Sequence, residues 1–298
     1  MTLLKILVLA VIQGAAELLP VSSSAHVIVA EKLMGLDPTS PEMTLLLVML
    51  HTGTMFAVIF FFWNSWKESF FASRKVFLES VKLITAATLL TGIVGLFLKS
   101  LIEKLILKDV PHAEIELLFG NMTLISAALA AAGALIIFAG WKERRLRGRQ
   151  KALGFNGSCW IGAVQGLCLP FRGFSRSGAT ISTGLLLGIS KVRVEEFSFA
   201  LAVVLTPPVI VREVLRLVKA QHLEKIGTAT IFASSKMVAV PIFSLFYPSL
   251  IGMALSFVAG ILALRWLSNW LEHGRWYLFG IYCLCASVVV FMLHSAGF

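Results

Sequence analysis

The chain has 298 residues, of which 58% are hydrophobic and only 14% are charged, and its mean hydropathy is +0.87. A soluble domain is usually about 25% charged, so this composition excludes a soluble globular enzyme, a disordered chain and a secreted disulfide scaffold. The formal net charge of +10 does not indicate a nucleic-acid partner. The basic residues lie in short loops between apolar runs, where they suit anionic lipid headgroups.

Six apolar runs are each close to the roughly 20 residues that cross a bilayer as a helix. They cover about 44–63, 83–99, 118–140, 196–215, 247–268 and 276–296. Two further apolar stretches, 3–36 and 157–190, are interrupted by polar breaks at 17–24 and 170–178. Irregular backbone at membrane depth is tolerated only where protein or a polar cavity covers it. Each interrupted stretch therefore predicts two half-length helices that form a re-entrant hairpin.

The two breaks resemble each other, which indicates an internal duplication. Gln13-Gly14 is followed by Leu19-Pro20 and serines, and Gln165-Gly166 is followed by Leu169-Pro170 and serines. Each break precedes three apolar runs, and because three is odd the second copy must be inverted in the membrane. The sequence thus predicts an all-α integral membrane protein with an inverted-topology repeat around a midplane binding site. The single membrane domain, 1–298, comprises repeat one at about 1–141, a basic loop at about 142–155 and repeat two at about 156–298.

The orientation follows from the densest basic run, which occupies 142–151 between the two repeats. The positive-inside rule makes this loop cytoplasmic, and both termini then lie outside. The segment 228–246 is ambiguous. Lys236 and Pro241 favour an extracytoplasmic segment, because a Lys at the centre of a span is costly; a seventh span there would move the C-terminus to the cytoplasm.

The first break combines groups that can do chemistry. Glu17 is an ionisable group inside an apolar stretch, which by default indicates a functional site, and Gln13 lies one helical turn before it. Ser22 or Ser23 is predicted to cap the half-helix that carries His26. The alternative is a serine-rich cap beside a glutamate that reaches the membrane interface.

The second break is cationic. Arg172 and Arg176 flank Gly173, and the glycines at 173 and 178 are expected to turn backbone N–H groups toward an anion before a half-helix from Ile181. Arg matches phosphate oxygens with its planar fork, so a cavity shared with Glu17 would be equipped for phosphoryl transfer. The alternative is a structural salt bridge from Arg176 to Glu17 or Glu196. His51, inside the first span, is predicted to be a packing residue.

These two breaks carry a resemblance to a known family. Residues 13–26, QGAAELLPVSSSAH, and residues 173–180, GFSRSGAT, closely resemble the two signatures of the bacterial undecaprenyl-diphosphate phosphatases, also called bacitracin-resistance proteins. The resemblance covers almost the whole chain. It implies a multi-pass hydrolase of the bacterial inner membrane that converts undecaprenyl diphosphate to undecaprenyl phosphate, recycles the carrier for peptidoglycan and works on the periplasmic face.

The resemblance also implies roles for individual residues. The expected catalytic residues are Glu17, Ser23, His26 and Arg176. The expected substrate-binding residues are Gln13, Ser22, Ser24, Arg172, Ser175, Ser177 and Thr180. Glu17, helped by Gln13, is expected to hold Mg²⁺ or Ca²⁺, which prefer oxygen ligands. The expected partners are the polyprenyl diphosphate, membrane lipids and, as a candidate, a second copy of the chain.

Arg172 is a departure from the family, which usually has proline there, and it could shift preference to another polyprenyl diphosphate. Two alternatives stay open at this point: a paralogue with such a changed substrate, and a transporter or flippase of an anionic prenyl lipid, since the fold alone does not decide function.

Overall fold

The computed structural model describes residues 2–36, 41–105, 118, 121–145, 150–229 and 242–296, with side chains described except at 41, 42, 212–214, 216–229 and 242–246. These parts of the chain form ten α-helices and no strand, with one isolated bridge between Lys151 and Ile189. The helices are, in chain order, α1 Leu3–Leu18, α2 Ser23–Leu33, α3 Pro41–Ser69, α4 Arg74–Leu105, α5 Met122–Arg145, α6 Phe155–Cys168, α7 Arg176–Leu186, α8 Lys191–Ala229, α9 Ile242–Glu272 and α10 Trp276–Ser295. The predicted all-helical class is confirmed.

The six predicted spans all correspond to segments that are long and apolar enough to cross a membrane. These segments are Met43–Ser69, Arg74–Leu105, Met122–Arg145, Lys191–Val211, Tyr247–Glu272 and Trp276–Ser295. Several extend beyond the apolar run into basic ends, such as Arg74 and Lys142, because a helix continues where long basic side chains reach the headgroups. The whole of the ambiguous segment 228–246 lies outside the residues described with side chains, so its extracytoplasmic location stays a prediction.

Two pairs of short helices lie on either side of the predicted breaks. α1 and α2 have 16 and 11 residues, and α6 and α7 have 14 and 11; each pair precedes three long helices. α1 packs against α9 of the second half, and α6 packs against α4 of the first half. This exchanged packing supports a duplication. The inversion of the second half and the re-entry of the hairpins stay predictions, because packing alone does not say which side of a bilayer a segment enters.

Glycines allow the short helices to approach the long ones closely. A Cβ on Gly14 would lie 2.6 Å from the Cβ of Ala259, so α1 depends on glycine where it crosses α9. A Cβ on Gly162 would lie 2.3 Å from the carbonyl oxygen of Ala87 where α6 crosses α4. Small residues at such crossings are the usual means of close packing between membrane helices. These two crossings fix the position of each break relative to the opposite half.

The main apolar core is shared by both predicted repeats. It includes Leu18 of α1, Phe62 of α3 and Phe197 of α8. An ion pair of 3.1 Å between Lys191 Nζ and Glu143 Oε1 also joins α8 to α5, beside the predicted cytoplasmic loop. The two halves are therefore held together by apolar packing and by charge, and this holds the two breaks against each other.

Candidate active site

The first break lies between the end of α1 at Leu18 and the start of α2 at Ser23. Pro20 lacks a backbone N–H and favours an extended residue before it; Leu19 is accordingly extended, with ψ of 134°. Ser22 has a φ of 69°, a conformation that costs energy in a residue with a Cβ and that is concentrated at functional sites. The prediction of a side-chain cap is wrong: Ser22 is the N-cap residue of α2 but makes no capping bond through its hydroxyl, which lies 3.3 Å from the Ser24 hydroxyl.

Glu17 is the residue where the two breaks meet. Its Oε1 accepts a hydrogen bond from Arg176 Nη2 at 2.7 Å. Its Oε2 accepts from Ser23 Oγ at 2.5 Å and from Gln13 Nε2 at 3.2 Å, and His51 Nε2 lies 3.8 Å away. Both carboxylate oxygens are thus held by protein donors. The ion pair with Arg176 brings the two breaks together across 159 residues of sequence. It is one of the two salt bridges that the sequence left open as a structural alternative, so a phosphate-binding cavity shared by Glu17 and Arg176 stays a prediction.

The second break is shaped by one glycine and one cap. Gly173 has a φ of +102°, and a Cβ there would lie 2.5 Å from the carbonyl oxygen of Ile125, so only glycine fits. Ser175 caps α7, because its Oγ accepts a hydrogen bond from Gly178 N at 3.2 Å. α7 consequently begins at Arg176, earlier than predicted. The backbone N–H of Gly178 is used by this cap, which corrects the expectation that it points toward an anion.

Three hydroxyl groups predicted to bind substrate face the protein. Ser175, Ser177 and Thr180 are all buried. Ser177 Oγ donates to the carbonyl oxygen of Leu19 at 3.4 Å, and Thr180 Oγ1 lies 2.6 Å from Ser198 Oγ. These contacts tie the second break to the first break and to α8. Their role in binding substrate stays a prediction.

His26 lies on the first turn of α2, as predicted, but its contacts differ from those of the other expected catalytic residues. Its Nδ1 is 2.7 Å from the carbonyl oxygen of Ser22, and its Nε2 is 2.7 Å from the hydroxyl oxygen of Tyr282 in α10. The imidazole and phenol rings are stacked, with centroids 5.6 Å apart. The ring therefore has a protein partner at both nitrogens.

Arg172 lies at the exposed start of the second break. Its positive charge acts on the carboxylate of Glu31 in α2, which is only 3% exposed. Within the described structure, Oε1 of Glu31 has no hydrogen-bond partner, so a nearby positive charge offsets part of the cost of burying it. A contact of Arg172 with substrate phosphate stays a prediction.

The alternative partner proposed for Arg176 has partners of its own. Glu196 accepts hydrogen bonds from Ser69 Oγ at 2.7 Å and from Arg193 Nη1 at 2.9 Å. Arg176 is instead paired with Glu17. Glu196 therefore belongs to a separate polar cluster, which joins α3 to α8.

Sequence reasoning missed two residues at this site. His51 was predicted to pack, yet its Nδ1 is tied to the carbonyl oxygen of Leu47 at 2.8 Å and its Nε2 points toward Glu17. The available signal was its position as a titratable group inside an apolar span. Tyr282 carries no such signal, because a tyrosine in an apolar run is ordinarily an aromatic that faces lipid or the interface.

The donor set limits how a metal ion could bind. Among the described residues, no three His, Cys, Asp or Glu side chains lie together as a metal-binding group. Glu17 offers one carboxylate, and the amide nitrogen of Gln13 donates to it. Mg²⁺ commonly binds through one or two carboxylates together with substrate phosphates. The residues therefore fit a divalent cation that arrives with a diphosphate better than a resident ion.

Comparisons with known proteins cover nearly the whole chain. The family model described as bacitracin resistance protein BacA matches residues 6–289. A protein of Acinetobacter baylyi named undecaprenyl-diphosphatase 2 is 58% identical over 98% of each chain. Proteins named undecaprenyl-diphosphatase 2 from Burkholderia ambifaria and undecaprenyl-diphosphatase from Bacteroides fragilis are 31% and 29% identical, over 99% and 97% of each chain. The matched residues include both breaks.

Proposed function

The chain belongs to the bacitracin resistance protein BacA family, and from this premise we propose that it removes the terminal phosphate of undecaprenyl diphosphate where its two breaks meet. The products are undecaprenyl phosphate and inorganic phosphate, so the reaction returns the lipid carrier to cell-wall synthesis. The observation that carries the location is the 2.7 Å contact between Glu17 and Arg176. It joins a carboxylate, a guanidinium and the Ser23 hydroxyl, and phosphoryl transfer depends on such positioning and charge.

Arg176 is the proposed phosphate-binding group. One terminal nitrogen donates to Glu17, and 23% of the side chain is exposed, which leaves part of the guanidinium open to a ligand. A guanidinium carries five N–H donors in a fixed plane, so it can keep the bond to Glu17 while it binds phosphate oxygens. The charge that develops on these oxygens in the transition state strengthens such bonds.

Ser23 is the proposed nucleophile, or the group that orients the attacking water. Its hydroxyl donates to Glu17 Oε2 at 2.5 Å, so the proton already points at a base. In the covalent route, the Ser23 oxygen bonds to the terminal phosphorus as the P–O bond to undecaprenyl phosphate breaks; water then hydrolyses the phosphoserine. In the direct route, water attacks the same phosphorus. Glu17 accepts the proton of the nucleophile in either route, and His26 is proposed as the second acid–base group of the reaction.

The divalent cation stays a proposal that rests on the donor chemistry of Glu17. A bound Mg²⁺ or Ca²⁺ would neutralise phosphate charge and polarise the phosphoryl group. Glu17 would be its protein ligand, with Gln13 holding the carboxylate in position. The pairing with Arg176 gives Glu17 a second function that is independent of metal: it keeps the guanidinium at the junction of the breaks.

The periplasmic location of the site and the insertion into the bacterial inner membrane are part of the same proposal. They rest on the basic residues near the start and end of the predicted loop 142–155. One of these basic residues, Arg144, donates a hydrogen bond to the carbonyl oxygen of Gly274 at 3.1 Å. The junction of α9 and α10 therefore lies at the same end of the helices as this loop. A homodimer is likewise a proposal, tested by the mass of the purified protein in detergent.

The test of the function is hydrolysis in detergent solution. The purified chain is incubated with undecaprenyl diphosphate, with and without EDTA, and released phosphate is measured. We expect steady release that EDTA abolishes and Mg²⁺ or Ca²⁺ restores. A transporter or flippase would release no phosphate. A paralogue would hydrolyse a polyprenyl diphosphate of another chain length faster, and Arg172→Pro would shift its preference back.

A further inference from the structure

The hydrogen bonds of His26 define which ring nitrogen carries its proton. Nδ1 lies 2.7 Å from the carbonyl oxygen of Ser22, and a carbonyl oxygen only accepts, so Nδ1 must be the donor. In the neutral ring, Nε2 then carries the lone pair. The hydroxyl of Tyr282, at 2.7 Å from Nε2, is consequently the donor in the second bond. The lone pair that a general base would use is therefore already engaged by a phenol.

Three features hold this arrangement in place. The rings of His26 and Tyr282 are stacked, with an interplanar angle of 14°. Ser22 adopts a positive φ of 69° at the residue whose carbonyl oxygen accepts from Nδ1. The contact also joins α2 in the first half to α10 in the second half, across 256 residues. Backbone strain of this kind persists only where the surroundings over-determine it, and it clusters at sites that are part of a mechanism.

Burial in the apolar core does not explain the position of Tyr282, since 47% of the residue is exposed. A phenol that only filled space in a core would be covered. This phenol lies at the surface of the helix bundle, and its oxygen caps Nε2 of His26. A proton can therefore enter or leave His26 only through the Tyr282 hydroxyl or after that hydroxyl moves aside.

We propose that Tyr282 is a positioning residue that acts through His26, holding the imidazole in the tautomer with the proton on Nδ1 and controlling access to Nε2. The hydroxyl donates to Nε2 when the ring is neutral and can accept from Nε2–H when the ring is protonated, so the ring stays in one orientation through proton transfer. This inference rests on the acid–base role proposed for His26. It assigns Tyr282 no contact with the diphosphate.

The test uses Tyr282→Phe, which keeps the ring and removes only the hydroxyl. The first measurement is the rate at which diethyl pyrocarbonate adds an ethoxycarbonyl group to His26, followed by peptide mass spectrometry of the full chain in detergent. The reagent needs a free nitrogen lone pair, so we expect labelling of His26 to rise several-fold in the variant. Labelling of the exposed His273 serves as the internal reference.

The second measurement is the steady-state hydrolysis of undecaprenyl diphosphate. We expect kcat to fall about five- to tenfold, the size of one lost hydrogen bond to a catalytic group, while KM stays unchanged. Tyr277→Phe is the matched control, because Tyr277 lies on the same helix but stacks on Arg144, with 4.6 Å between the guanidinium carbon and the ring centroid. Phenylalanine preserves that stacking, so both measurements should match the unsubstituted protein.

The outcomes separate this inference from the role of His26 itself. Unchanged labelling of His26 in Tyr282→Phe would mean that the hydroxyl does not block access to Nε2. Raised labelling with an unchanged kcat would mean that blocking this access does not serve the reaction. Either result overturns the inference. A parallel His26→Gln variant reports on the proposed function. If it turns over normally, His26 is not an acid–base group, whatever the labelling shows.

Discussion

Replacing Glu17 with glutamine keeps the shape of the side chain and removes its charge. Two short hydrogen bonds depend on that charge, from Arg176 at 2.7 Å and from Ser23 at 2.5 Å. A hydrogen bond to a charged group contributes about 1.5–3 kcal/mol. The amide N–H of glutamine would clash with the donor of Arg176 if it faced that residue. If it faced Ser23 it would donate to the hydroxyl, so the Ser23 proton would no longer point at a base.

The expected magnitude follows from these two bonds. Together they amount to about 3–6 kcal/mol, and because each 1.36 kcal/mol changes the rate tenfold, complete loss corresponds to about 10²- to 10⁴-fold. The pair is partly exposed, with 18% of the Glu17 side chain accessible, and solvent screening weakens the attraction between its charges. The lower end of this range of rate losses is therefore expected. We therefore expect Glu17→Gln to lower kcat about a hundredfold and to abolish the response to added Mg²⁺.

The assay is phosphate release from undecaprenyl diphosphate in detergent across a Mg²⁺ titration. Glu103→Gln is the control, because Glu103 forms a surface pair with Lys99 at 3.7 Å and such pairs contribute only about 0–1 kcal/mol; its activity should change less than about twofold. Turnover of Glu17→Gln within about fivefold of the unsubstituted protein would refute the reasoning on charge. A low turnover with an unaltered Mg²⁺ dependence would instead refute Glu17 as the ligand of the cation.

The remaining predictions concern the guanidinium, the helix packing and the orientation in the membrane. Arg176→Lys keeps the positive charge and loses the planar fork, so kcat should fall at least about tenfold; equal activity would make Arg176 a counter-charge only. Gly14→Ala places a Cβ 2.6 Å from that of Ala259, so thermal unfolding should show that the free energy of unfolding falls by about 1–3 kcal/mol. Gly92→Ala is the control, because nothing lies within 4 Å of the added carbon, and it should show no such loss. With the native cysteines replaced, a cysteine at Lys32 should react with an impermeant thiol reagent in intact cells and one at Gln150 should not; the reverse pattern would put the site on the cytoplasmic face.

Properties that depend on local composition were available from the sequence. The six spans follow from hydropathy, because each helix must satisfy its own backbone in lipid and so needs a continuous apolar run. The breaks at 17–24 and 170–178 follow from proline, glycine and clustered polar groups. Glu17 and Arg176 could be singled out because a charge inside an apolar stretch is costly enough to need a function.

Contacts between distant segments were decided only by the tertiary structure. The sequence left Arg176 with two alternative partners, and the packing of α1 on α9 and of α6 on α4 brings it to Glu17. The same packing brings His51 of α3 to Glu17 and Tyr282 of α10 to His26. Tyr282 leaves no local pattern in the sequence. His51 is marked only as a titratable group inside an apolar span, which does not name its partner. Each becomes a site residue through the way in which its helix packs against the neighbouring helices. The hydroxyl groups of the second break show the converse, because their motif predicts contact with a ligand. Ser175 instead caps α7, Ser177 donates to the carbonyl oxygen of Leu19, and Thr180 bonds to Ser198, so all three face the protein.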